Sequence, residues 1–150
     1  MKLASLSAAQ QGIWLGQAIK PASPMYNTAE YIEFKGEFDA KVFELAATQV
    51  LQNTTALNMA FILDDDKPAQ SILSPDKIKN NCLVIKDFSN HQSGYEQAVA
   101  FFKPDLKQIL NIKLGQNYRH TLIKVADNHY RWNLSIHHIA CDGYSFVLLA

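Results

Sequence analysis

Hydrophobic periodicity parcels this chain into short helices and strands. Ser7, Ala8, Ala9 and Gln10 have capping-box spacing, in which a hydroxyl and a Gln side chain close each other's backbone donors, so a helix is predicted to about residue 18. Pro21 and Pro24 then break the chain. Residues 28–35 alternate, with Tyr31 and Phe34 set against Glu30 and Glu33, as in a half-buried strand closed by Gly36. Asp39 is a good N-cap for a helix over 40–52, whose buried stripe is Val42, Phe43, Ala46, Ala47, Val50 and Leu51. A strand over 57–63 follows, and the acidic run at 64–66 is a turn into a partner over 69–73. That run lacks the alternating oxygens, central Gly and distant Glu of a calcium loop.

Residues 82–85, beginning at Cys82, are a short apolar strand candidate. A helix is predicted over 93–102, interrupted by Pro104, with a second helical piece over 105–112. Residues 118–125 and 130–137 read as two strands of a hairpin, joined through 126–129. Asp142 and Gly143 open a last helix over 145–150. That helix meets no stop signal, so the chain is expected to be one lobe of a larger protein, truncated within it.

With 150 residues and 48% apolar types, the chain can bury a sizeable core. Lys plus Arg balances Asp plus Glu, 14 against 14, which argues against an electrostatic grip on nucleic acid or an anionic membrane. No run of apolar residues is long enough for a membrane span, and the first residues lack a signal-peptide pattern. Two cysteines, Cys82 and Cys141, are too few for a disulfide scaffold, so a reduced, cytoplasmic chain is expected.

Candidate chemistry concentrates in 135–143. On a regular strand His137 and His138 point to opposite faces, and His138 continues the apolar row of Trp132, Leu134 and Ile136. Desolvation there would keep a neutral, proton-accepting ring. Two readings of His138 follow: a hydrogen-bonded core histidine, or a general base. A zinc site needs three or four converging ligands, whereas neighbouring strand histidines diverge. Cys141, three residues after His138, is a weak nucleophile candidate. Asp142 has a cap role at hand, or an ion pair with Arg119 or Arg131, and Gly143 is expected to allow a backbone shape closed to larger residues.

His137, His138, Asp142 and Gly143, with three residues between, resemble the HHxxxDG motif of nonribosomal peptide synthetase condensation domains. The opening Ser7 to Trp14 resembles that family's SxAQxxxW motif, Tyr26-Asn27 its next stretch, and 57–61 its RHExLRTxF segment. The resemblance covers nearly the whole chain, as an N-terminal lobe. Residues 9–14, 56–61, 125–128 and 142–146 resemble catechol-siderophore synthetases in particular. It implies an α/β (α+β) lobe of a chloramphenicol-acetyltransferase-like fold, a mixed sheet flanked by helices. It also implies amide formation between substrates on the 4′-phosphopantetheine arms of donor and acceptor carrier domains. His138 would be catalytic, with His137, Asp142 and Gly143 in support. No bound cofactor or metal is implied. Partners would be the C-terminal lobe, the two carriers and an adenylation domain of the same chain. The motif's Asp is thought to pair with the second Arg of RHExLRT, but Asn53 and Asn58 stand at its basic positions here. An epimerization lobe, or a non-catalytic lobe that docks carriers, are the alternatives. The paired histidines argue against heterocyclization, whose motif carries paired Asp.

Overall fold

The computed structural model describes residues 3–78 and 83–149. In chain order the elements are β1 (Leu3–Ser5), α1 (Ala8–Ile19), β2 (Asn27–Lys35), α2 (Ala40–Asn53), β3 (Met59–Asp64), β4 (Lys67–Ile72), the short α3 (Pro75–Ile78), β5 (Val84–Asp87), α4 (Gly94–Asp105), β6 (Tyr118–Ala126), β7 (His129–His137) and α5 (Gly143–Leu149). Three-residue and four-residue 3-10 turns at Ile112–Leu114 and Thr55–Asn58 complete them. Cys82 lies outside the described residues, so the strand expected from it is seen only from Val84.

The strands form two sheets. One is mixed, in the order β2-β7-β6-β5, with β5 parallel to β6 and the other pairs antiparallel. The other is small and antiparallel, in the order β1-β4-β3. This second sheet is an addition to the single flanked sheet expected from the resemblance. The β3–β4 turn is the acidic run: Asp65 and Asp66 take positive φ, 45° and 59°, the mirror-image turn that suits strand twist. Asn128 does the same, φ 54°, in the β6–β7 hairpin.

The four-stranded sheet is covered on both faces. Trp132, Leu134 and Ile136 of β7 face α1, α2 and the small sheet, joining Trp14, Leu51, Phe61 and Leu122 in the main core. Phe34, Phe38, Phe43, Tyr130 and Trp132 stack edge and face around one corner. On the other face Ala98 of α4 packs on Ile123 and Val125. Gly94 sits so close beneath that face that a Cβ would lie 2.3 Å from the Val125 carbonyl oxygen and 2.6 Å from that of Phe88.

Two helix expectations change. Helix α4 runs through Pro104 to Asp105, because only the last turn loses a bond and the Ala100 carbonyl it frees belongs to an exposed residue. The second helical piece expected over 105–112 does not form beyond single turns. Its carbonyls are taken by side chains instead: Arg119 Nη2 donates to the oxygens of Asp105 (2.8 Å) and Gln108 (3.1 Å), and Asn27 Nδ2 to those of Leu106 (3.1 Å) and Gln108 (2.7 Å). A continuing helix needs those same acceptors. Among the described residues, no helix is long and apolar enough to cross a membrane.

Candidate functional site

The site grows from the end of β7. Strand pairing stops at His137, whose N–H donates to the Asn117 carbonyl at 2.8 Å. His138 N–H still donates in the β2 register, to the Tyr26 carbonyl (2.8 Å), and the chain then turns with Ala140 N–H on the His137 carbonyl (2.9 Å). Strand parity ends at this turn. His138 therefore does not continue the apolar row of Trp132, Leu134 and Ile136, as expected from the sequence; it is exposed, while His137 is buried at 2% exposure. Desolvation acts on the first histidine of the pair.

Each ring has a defined tautomer. His138 Nδ1 lies 2.8 Å from the Cys141 carbonyl oxygen, which can only accept. The ring proton of neutral His138 is therefore on Nδ1, and Nε2 carries an open lone pair on an exposed ring. His137 is bonded on both sides, with Nε2 3.2 Å from Gln17 Oε1 and Nδ1 accepting from Ile139 N–H at 3.2 Å. Burial, with a smaller repulsion from His138, pulls the His137 pKa down to about 4.

Asp142 caps α5. Its Oδ1 accepts from Ser145 N–H (2.9 Å) and Ser145 Oγ–H (2.6 Å), and these bonds hold its carboxyl below the usual range. The ion pair weighed with Arg119 or Arg131 is not made. Arg119 Nε lies 2.9 Å from Asp105 Oδ1, and Arg131 stacks 3.8 Å over the Tyr31 ring while its Nε donates to Asn133 Oδ1. Asn58, at the family's second Arg position, is buried far from that duty: its Nδ2 donates to the carbonyls of Leu51, Gln52 and Thr54, closing the end of α2. Asn53 is exposed at the last position of that helix. Cys141 is buried, which pushes its thiol up and away from thiolate chemistry.

Gly143 departs from expectation. Its φ is not positive, and a Cβ there meets nothing within 4 Å. It borders an apolar cavity of about 280 Å³ with Ile32, Trp132, Leu134 and Phe146, between β2, β7 and α5. We therefore expect Gly143→Ala to change stability by less than about 0.5 kcal/mol. Gly94→Ala, which drives a methyl into two backbone oxygens, should cost about 1–3 kcal/mol. Equal urea midpoints for the two variants would contradict this.

Three residues that bear on the site carried no chemistry in the sequence. Gln10 Nε2 donates to the Ile139 carbonyl at 3.2 Å, Gln17 meets His137, and buried Asn117 ties β7 to the small sheet through the Leu57 and Met59 carbonyls. The seven-residue spacing of the two glutamines on one predicted helix face was the available signal.

The family model described as "Condensation domain" matches residues 2–150. The isonitrile lipopeptide synthase of Streptomyces coeruleorubidus is 34% identical over 97% of this chain and 10% of its own length. Enterobactin synthase component F of Escherichia coli O157:H7 is 32% identical over 94% of this chain and 11% of its own. The crystal structure of the starter condensation domain of rhizomide synthetase RzmA superposes with a TM-score of 0.89 at 34% identity, covering 99% of this chain and 35% of that one.

Proposed function

Because this chain belongs to the condensation-domain family, we propose that it is the first lobe of a domain that forms an amide bond between two carrier-bound substrates, with His138 acting on the attacking amine. The observation that carries this reading is the exposed His138 ring with its proton pinned on Nδ1 and its Nε2 free. The acceptor amine attacks the donor thioester carbonyl, the new C–N bond forms, and the C–S bond breaks. Nε2 takes the nitrogen's proton as the bond forms, and the departing sulfur on the donor phosphopantetheine arm receives a proton in exchange. A positioned base of this kind contributes roughly 10²- to 10⁴-fold. Holding both arms at one point contributes more, since effective molarities reach about 10⁵ M or beyond.

His137, Asp142 and Gly143 support the loop rather than touch substrate in this reading. His137 is a buried brace, Asp142 caps α5, and Gly143 keeps the cavity wall open beside it. The second half of the site would come from a C-terminal lobe. The chain spans about a tenth or less of the length of the curated relatives it matches and about a third of the solved condensation domain. The exposed Tyr144, Val147 and Leu148 of α5 fit a surface that such a lobe covers. Donor and acceptor carriers and an adenylation domain complete the proposed assembly, and the likeness to enterobactin synthase component F points to a siderophore product.

The test is reconstitution of the full-length protein with loaded donor and acceptor carriers, read by mass spectrometry. Amide product supports the proposal. Inverted stereochemistry at the acceptor α-carbon would make it an epimerization lobe, and carrier binding without turnover a docking lobe. Residues 1–150 alone should yield no amide above the uncatalysed rate; turnover by that piece would overturn the two-lobe reading.

A further inference from the structure

Helix α1 carries Gln10 and Gln17 two turns apart, so both lie on one helix face. They reach the residues on either side of His138. The Gln17 amide nitrogen faces three carbonyl oxygens, of Lys20 (3.0 Å), Pro21 (3.3 Å) and Ser23 (3.1 Å). Carbonyls only accept, so this end must be the NH₂ and the oxygen must face His137. An amide oxygen also only accepts, so His137 carries its proton on Nε2 and leaves Nδ1 bare. Nδ1 is then the acceptor that Ile139 N–H requires. Gln10 is oriented in the same way: its oxygen accepts from Ser7 N–H at 2.9 Å, which turns its nitrogen to the Ile139 carbonyl. The Ile139 residue, next after His138, is thus held at both its N–H and its C=O.

We propose that Gln10 and Gln17 are positioning residues that aim the His138 imidazole by clamping its two neighbours, and that the clamp closes only on one tautomer of neutral His137. This deepens, and rests on, the reading of His138 as the working base. An imidazolium at position 137 has no lone pair for Ile139 N–H and would set two N–H groups against each other. The groups facing His137 supply no carboxylate to hold such a proton. They are uncharged Gln17 from α1, the Tyr26 ring 6.0 Å away ahead of β2, Asn27 opposite it on β2, Asn117 beside it ahead of β6, and neighbouring His138. Burial favours the same neutral ring, with a pKa near 4.

Gln17→Glu keeps the side-chain shape but sets a carboxylate against His137, which favours the imidazolium. In the full-length protein, amide formation should lie below wild type even at alkaline pH, because the second carboxylate oxygen faces the carbonyls of Lys20, Pro21 and Ser23 to which the amide NH₂ donated. As pH falls it should drop roughly ten- to a hundredfold in kcat through a new ionisation, with KM for both carriers unchanged. Gln17→Leu, which leaves the His137 N–H without an acceptor, should lose activity at every pH. Ring ¹⁵N shifts give a readout independent of turnover: wild-type His137 should show protonated Nε2 and bare Nδ1, and Gln17→Glu should add the second proton at higher pH than wild type. The opposite wild-type tautomer would overturn the clamp whatever the rates, and it decides the matter if Gln17→Leu fails to fold. Wild-type rates and pH profiles in both Gln17 variants, with His138→Ala inactive, would overturn the clamp and leave His138 standing. Full activity in His138→Ala would remove the parent reading instead, while the nitrogen shifts would still judge the clamp.

Discussion

Replacing His138 by Ala in the full-length protein is expected to slow amide formation by about 10²- to 10⁴-fold, with the fold intact. The size of the loss follows from the role. An exposed imidazole with an unshared Nε2 lone pair can receive a proton as the amine nitrogen bonds to carbon, and Ala offers nothing in its place. The fold should survive because the ring is exposed and gives up a single hydrogen bond, to the Cys141 carbonyl, worth about 0.5–1.5 kcal/mol. The check is a single-turnover assay with loaded carriers beside a thermal melt. Product formation within about threefold of wild type, from a protein that melts normally, would remove His138 from the chemistry and leave positioning alone to account for catalysis. His137→Ala should give the reverse pattern. It removes a buried ring bonded on both sides, so the melt moves before any kinetic effect can be assigned.

The folded protein should lose stability steeply as pH falls from about 6.5 toward 4. His120 and His137 are both buried, at 3% and 2% exposure, and burial pulls each pKa down to about 4. Above the ordinary histidine value of about 6.5 both rings are neutral in the folded and unfolded chains, so neither adds a pH dependence. Between that value and about 4 the unfolded chain binds two protons that the folded chain refuses, and stability declines with every step down in pH. Each imidazole accounts for roughly 3 kcal/mol across the window. Domains are commonly stable by only about 5–15 kcal/mol, so the pair is enough to unfold a marginal one. Urea titrations at stepped pH test this. A flat stability profile through the window would mean that these rings are not held neutral. His120→Phe, which keeps a ring beside Tyr118 and Trp132 without titrating, should remove about half the slope.

Much of the fold was legible because its cues are local. The Ser7 and Gln10 capping box, the Asp39 cap and the acidic β3–β4 turn all formed where their residue types place them. Each depends on groups three or four positions apart, and chain connectivity already brings these together. The paired strands β6 and β7 were readable from apolar alternation for a similar reason. The 105–112 segment was misread because the decision was not local: Arg119 from β6 and Asn27 from β2 take the carbonyls that a helix there would use. Pro104 misled in the opposite sense, since in a last turn it removes only one bond.

For the site, the sequence alone determined which residues stand together: two histidines, a capping Asp and a Gly in one short run, within a pattern that resembles a known family. Tertiary structure decided which histidine is hidden. Alternation assigns faces only while the strand continues, and the turn closed by Ala140 N–H on the His137 carbonyl ends it at this histidine pair. It also decided that two glutamines of α1 flank His138, because those partners lie 120 and 129 positions apart in the chain and meet only when the core packs.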